Sequence, residues 1–369
     1  MKNAVSLRKD RRPAAGTRPL LAGACCSLLL FAHCAAGDAE RFPPDFDVPA
    51  AIHGGAGGGR AMAERDSLHR FPVILIPDIA RDHRDWTGAN PGNAFPQDPA
   101  DVHAALTNAG FLPIEIWMPD FAPAGAQMSS LEEATDDLKF FMIAVLRYTG
   151  ANKVQILAHG TGCVLARLTL LKYRIPHWVH AEAYVAGPFH GADPAGSAGI
   201  RPALAGRPNA IWLTPGSELL REILLSGETP RSRNPADGRY FRLKTLTIRN
   251  GMPGGDAWFT ANPDSPALAG ADNRLLPGLD HDALRCAPES MAAVIPFLSG
   301  AAAPYSMAED FDQDGFRGSV FGGPDLDDSD PDIHPGAREI RGDGIDQDCN
   351  GCDLSVLGGR DGEIPLTHD

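Results

Sequence analysis

The stretch KVQILAHGTGCVLARLTLL, Lys153–Leu171, decides the fold. Val154–Ala158 is a short apolar run, of the length and composition of a strand buried on both faces. His159–Gly162 is a turn of mostly small residues, and from Cys163 the apolar residues continue in a helical pattern. A strand that passes within a few residues into a helix is half of a parallel βαβ unit.

The same alternation runs outward from there. FPVILIP (Phe71–Pro77) reads as a buried strand, DVHAALTNAG (Asp101–Gly110) as a helix and FLPIEIWMP (Phe111–Pro119) as another strand. SLEEATDDLKFFMIAVLRYTG (Ser130–Gly150) is a long amphipathic helix, with Ser130 as its N-cap and Glu132 and Glu133 in the first turn. A strand over Ala181–Gly187 precedes a Gly/Pro-rich excursion, Pro188–Pro208. A short helix follows near Ser217–Leu225, then a strand over Arg242–Asn250 and a last helix over Asp282–Leu298. Strands interleaved with helices predict an α/β fold, a mostly parallel sheet covered on both faces, over residues 71–300.

The ends have a different character. Lys2, Arg8, Lys9, Arg11, Arg12 and Arg18 precede an apolar stretch, Leu20–Phe31, followed by small residues from Cys34 to Gly37. That is the layout of an export signal over residues 1–37, with lipid attachment at Cys34 a further option. No later run is apolar enough to span a membrane, so an exported mature chain without a transmembrane span is expected. Residues 38–70, including GGAGGGR (Gly54–Arg60), have the composition of a flexible Pro/Gly-rich linker. Their glycines lack the strand before and helix after that a phosphate-cradling loop needs. The net charge of −14 is concentrated at the other end: residues 308–353 hold 14 acidic residues and three arginines. Acidity confined to one segment points to a cation site there and argues against nucleic acid as a partner.

The turn after the first quoted strand matters for chemistry. Its five positions, Ala158, His159, Gly160, Thr161 and Gly162, stand where a serine-hydrolase elbow reads G-x-S-x-G, and the nucleophile position is Gly160. Such a site also needs an acid after a later strand and a histidine before the last helix, in that chain order. Asp256 in GMPGGDAWF and His281 in LPGLDHDAL fill those slots. Asp256 can orient His281, but His281 finds no hydroxyl at Gly160 to deprotonate. Thr161, a thiolate at Cys163, and a water activated by His281 and Asp256 are the other conceivable attackers.

With these motifs in order, the segment Phe71–Gly300 resembles the secreted class 2 lipases and EstA-type esterases of the α/β-hydrolase superfamily. The likeness rests on VILIPDIARDHRDW (Val73–Trp86), AHGTGCVLAR (Ala158–Arg167), YVAGPFHGAD (Tyr184–Asp193), LTPGSELLREILLSGETP (Leu213–Pro230), SPALAGADN (Ser265–Asn273) and LPGLDHDAL (Leu276–Leu284). It implies a carboxylic-ester or lipid hydrolase, with Asp256 and His281 in the triad and the backbone N–H groups of Ile79 and Thr161 as oxyanion donors. The chain departs from that family twice. Its nucleophile is a glycine, and the His-Gly pair that usually ends the first strand is Pro77-Asp78. A carboxylate there opposes the stabilisation of an oxyanion.

The acidic segment opens with D-x-D-x-D-G at Asp310, Asp312, Asp314 and Gly315. This spacing places alternate carboxylates on one hard cation, with the glycine allowing a sharp turn. It is not an EF-hand, because the twelfth loop position is Phe321. The following GGPDLDDSDPDIHPGAREIRGDGIDQDCNGCD (Gly322–Asp353) resembles the MopE-type metal-binding motif of secreted bacterial proteins. The resemblance implies Asp325, Asp327, Asp328, Asp330, Asp332, Asp346 and Asp348 as acidic ligand positions. Leu326 replaces that motif's first cysteine, leaving Cys349 without its usual partner; Cys352 is a local substitute for a disulfide. A segment so poor in apolar residues needs a metal to fold, and oxygen ligands favour Ca2+. Cys163 and Cys286 read as buried thiols.

Together these features predict an exported hydrolase homologue that is catalytically silent or impaired, binds a lipid, an ester-like small molecule or a protein partner, and carries a calcium module. An ester hydrolase using water or a displaced nucleophile is the alternative, and a calcium-stabilised surface protein a third.

Overall fold

The computed structural model describes residues 41–78, 81–88, 101–123, 130–192, 213–225, 228–229, 231–233, 240–299, 310, 312, 314–319 and 322–353. The stretch expected to be an export signal, Cys34 and most of the Gly/Pro-rich excursion lie outside the described residues. No described helix is long and apolar enough to cross a membrane.

Nine strands are described: β1 (Gly54–Gly57), β2 (Val73–Ile76), β3 (Ile116–Asp120), β4 (Val154–His159), β5 (Val179–Val185), β6 (Arg231–Arg233), β7 (Tyr240–Arg242), β8 (Lys244–Arg249) and β9 (Asp272–Leu275). Their α-helices are α1 (Val102–Asn108), α2 (Leu131–Thr149), α3 (Thr161–Lys172), α4 (Glu218–Leu225), α5 (His281–Cys286) and α6 (Pro288–Ser299). Seven strands form one sheet in the order β1-β3-β2-β4-β5-β8-β9, and β6 and β7 form a separate hairpin. Every pair in the large sheet is parallel except β1 with β3.

The strand period of two sorts side chains onto two faces. Ile74, Ile76, Ile156 and Ala158 point into a cluster with Leu138, Phe141 and Val145 of α2 and Val164 and Leu168 of α3. Val73, Leu75 and Leu157 point the other way, to Val102 and Leu106 of α1 and to Leu284, Met291 and Val294 of α5 and α6. Each such fully buried aliphatic side chain contributes about 1.5–3 kcal/mol. Helix α2 starts where expected: the Ser130 side chain accepts from the Glu133 N–H at 2.9 Å. It ends on Gly150 at φ 66°.

Two expectations change. Residues 41–70 do not form the flexible linker that glycine content suggested. Phe46 packs on Trp117 with ring centroids 4.7 Å apart, and Tyr148 donates to Asp45 at 2.8 Å. The glycine run supplies β1, an edge strand lying so close to β3 that a Cβ on Gly55 would meet the Met118 carbonyl oxygen at 2.3 Å. Glycine there serves close approach, which composition alone reads as slack. The last helix is two helices, because Pro288 starts α6 with no N–H to continue α5.

The acidic segment packs against this body. Arg147 of α2 donates to the Asp314 carbonyl at 2.7 Å and lies over the Phe316 ring at 5.3 Å. His177 donates through Nε2 to the Cys349 carbonyl at 3.1 Å.

The sheet order also fixes where a site can form. The chain leaves β2 for β3 on one side and then crosses to β4 on the other. Such a reversal opens a crevice at the carboxyl ends of the strands. Asp78 follows β2, and Gly160 follows β4.

Candidate functional site

Gly160 joins β4 to α3 at φ 54°, ψ −126°, a backbone conformation that is strained for residues with a side chain. The sharp strand-to-helix elbow is therefore formed, with no side chain at its apex. The helix behind it is close: a Cβ on Gly162 would meet the Pro77 carbonyl at 2.5 Å. Cys163 is fully buried; its thiol donates to the Val185 carbonyl at 3.5 Å, and burial pushes its pKa well above the usual thiol value. A thiol so placed is no nucleophile.

Around the elbow the structure brings Asp256, His281 and Thr161 together. Asp256 follows β8, is buried, and accepts from His281 Nδ1 at 3.0 Å. His281 is the first residue of α5, whose N-cap Asp280 accepts from the Ala283 N–H at 2.8 Å. Trp258 stacks on the His281 ring at 4.2 Å, nearly parallel. Burial works against a charged His281, but Asp256, Asp78 and Asp282 outweigh it and raise its pKa. Ile79 lies outside the described residues.

Asp78 decides what this arrangement can do. A Cβ built on Gly160 would lie 2.6 Å from Asp78 Cγ, 2.7 Å from Oδ1 and 3.0 Å from Oδ2. The carboxylate therefore fills the volume that a nucleophile's side chain would take. Its Oδ1 accepts from the Thr161 N–H at 2.9 Å and from the Thr161 hydroxyl at 2.6 Å. The N–H expected to stabilise an oxyanion is thus already engaged by an anion of the protein itself. Oδ2 lies 3.9 Å from His281 Nε2. The sequence marks Asp78 only as a charge that opposes an oxyanion; that it occupies the space beside Gly160 needed the tertiary structure.

A topological switch point, a strained elbow and an Asp–His pair on successive strand ends form one constellation. Residues 94–175 match the family model for lipase (class 2). The chain has a lipase-like α/β-hydrolase fold. Residues 325–353 of this hydrolase-fold chain match a second family model, MopE, described as a "putative metal-binding motif". Among solved structures, the mature Bacillus licheniformis lipase BlEst2 is similar at 13% identity and a TM-score of 0.45, over 62% of this chain and 92% of that one. Aspergillus fumigatus lipase B is similar at 16% identity and a TM-score of 0.49, over 80% of this chain and 64% of that one. No curated protein matches the chain.

Among the described residues, the acidic segment holds three groupings in which one ligand atom from each residue lies within 4.8 Å of the others: Asp310, Asp312 and Asp328; Asp312, Asp314 and Asp325; Glu339, Asp346 and Asp348. Asp312 belongs to the first two. Oδ2 of Asp312, of Asp314 and of Asp325 are buried without a hydrogen-bond donor among the described residues. Burial and the neighbouring carboxylates push Asp314 up to about 7, Asp325 to about 8 and Asp348 to about 7. Converging buried oxygens of this kind require protons or a cation, and an all-oxygen set suits a hard divalent ion.

Asp327, Asp330 and Asp332 fall in none of these groupings. Asp327 Oδ1 accepts from the Ser329 hydroxyl at 2.6 Å, and Asp330 Oδ1 from the Asp332 N–H at 3.1 Å, so both close local turns. Glu339, absent from the expected ligands, was visible only as the glutamate of the PGARE stretch. Cys349 and Cys352 are free thiols, and Cys349 Sγ instead accepts from the Leu326 N–H at 3.3 Å.

Proposed function

We propose that this protein is an exported lipase homologue that has lost acyl-enzyme chemistry and works by binding, with an acidic segment that folds around calcium. One observation carries the first part: the Asp78 carboxylate takes both the nucleophile's volume at Gly160 and the Thr161 N–H. A serine hydrolase needs the first empty of charge and the second free for substrate. The ligand class that the lipase-like fold suggests is a lipid or ester-like small molecule. Asp310, Asp312, Asp314, Asp325 and Asp328, with Glu339, Asp346 and Asp348 beyond them, would hold the calcium. Ca2+ supplies charge neutralisation there. Export rests on the N-terminal sequence pattern.

A fluorophosphonate probe tests the loss of acyl-enzyme chemistry. The expected result is no labelling of the purified chain; stoichiometric labelling at any residue overturns the reading. The intact 3.0 Å contact between Asp256 and His281 favours a second reading, hydrolysis by a water that His281 deprotonates. It requires ester turnover that escapes the probe and disappears in His281→Ala.

A further inference from the structure

His159 and His281 face each other beside Asp78, with ring centroids 4.7 Å apart. One nitrogen from each ring and one Asp78 carboxylate oxygen all lie within 4.8 Å of one another. All three side chains are buried, His159 at 1%, His281 at 7% and Asp78 at 7% exposure.

The hydrogen bonds fix what each ring offers. His159 Nε2 donates to the His281 backbone carbonyl at 2.9 Å, which leaves Nδ1 carrying the lone pair. His281 Nδ1 donates to Asp256 at 3.0 Å, which leaves the lone pair on Nε2. Both of those nitrogens, His159 Nδ1 and His281 Nε2, are buried and have no hydrogen-bond partner among the described residues. A lone pair buried without a donor is costly unless something electrophilic sits against it. Asp78 completes the set: Thr161 holds Oδ1, and Oδ2 turns to His281 Nε2 at 3.9 Å.

We propose that His159, His281 and Asp78 form a divalent transition-metal site of the Zn2+ class in the centre of the hydrolase fold, in place of the acyl-enzyme machinery. Two imidazoles and one carboxylate are a common zinc ligand set. Each histidine already donates its other N–H, to a carboxylate and to a carbonyl, which is the outer-shell support that orients metal-bound imidazoles. Ligands at about 2.0–2.1 Å in tetrahedral geometry stand roughly 3.3 Å apart, so metal entry draws Asp78 and His281 together from 3.9 Å. Glycine at position 160 is what leaves room for Asp78 here. The site is chemically distinct from the all-oxygen acidic segment, and it does not depend on whether the protein hydrolyses esters.

The test uses the full chain with Ca2+ at saturating concentration, to fill the acidic segment, followed by titration with Co2+. The expected result is one Co2+ per chain with the visible d–d bands of a four-coordinate nitrogen-bearing site, displaced by Zn2+. His281→Ala or His159→Ala abolishes the band, and Asp256→Asn weakens Co2+ affinity about 10–100-fold. Should a histidine variant fail to fold, X-ray absorption on the Zn2+-loaded wild type must find two imidazole nitrogens in the first shell. Absence of a band in the calcium-saturated wild type, survival of the band without His281 and His159, or a zinc shell without imidazole each overturns the proposal. Because the readout is metal content and spectrum, a finding of ester turnover would sink the loss of catalysis and leave this site standing.

Discussion

At Gly160, putting back the missing serine meets an obstacle that the sequence does not display. The new Cβ would stand 2.6 Å from Asp78 Cγ, and position 160 keeps φ at 54°. Gly160→Ser is therefore expected to destabilise the protein by about 1–3 kcal/mol and to gain no ester hydrolysis. The double variant Gly160→Ser with Asp78→Gly removes the clash and frees the Thr161 N–H. It should gain fluorophosphonate labelling that the single variant lacks; labelling equal in both would show that Asp78 is no obstacle. Asp256 and His281 were legible from order along the chain, because the first follows a strand and the second precedes a helix that local pattern identifies. Asp78 was legible as a charge and no more. Its carboxylate reaches Gly160 through the pairing of β2 with β4, in which Ile76 stands opposite Ala158.

Among the elements, those with a strong local period came out as expected. The four residues of β2 and six of β4 are all buried, and α2 carries its cap at Ser130. The departures were β1, whose glycines serve a close approach to β3, the strands β6, β7 and β9, which local pattern did not mark, and the break between α5 and α6 at Pro288. In the acidic segment, the aspartates of the D-x-D-x-D-G loop divide between two groupings that share Asp312, while Asp327 and Asp330 accept hydrogen bonds within local turns. Cys349 offers a test at this scale. Its Sγ lies 3.3 Å from the Leu326 backbone N, so Leu326→Cys should form a disulfide with Cys349 under oxidising conditions. Closing a loop of this length stabilises by about 3 kcal/mol. A melting temperature that does not differ between the oxidised and reduced variant would count against the pairing.

Across the whole molecule, the acidic segment is docked on the hydrolase fold through Arg147 and His177, so its metal state should be felt by the entire chain. Chelation is expected to lower the melting temperature, and Ca2+ to restore it; an unchanged melt in chelator would argue against a metal-dependent fold. His177 adds a pH dependence. Burial pushes its pKa down to about 4, against the ordinary 6.5. The folded state therefore binds fewer protons than the unfolded state between those values, and stability rises with pH there. The contribution, of order 3 kcal/mol, is complete above pH 6.5 and is lost as pH falls towards 4. His177→Gln should flatten that limb of a melting-temperature profile measured with calcium present.

The sequence by itself determined the layers of the α/β fold, the glycine at the turn from β4 to α3, the order of Asp256 and His281 along the chain and the acidic character of the C-terminal segment. Each of these is written in periods of two or four residues, in a turn of a few residues, or in chain order, and such patterns act locally. Only the tertiary structure decided that Asp78 fills the place beside Gly160, that the His159 and His281 rings meet beside it, and which aspartates converge. The first two depend on side chains brought within a few ångströms from elements 80 or more residues apart, a proximity set by strand pairing and helix packing; the third depends on how turns of the acidic segment fold back on one another.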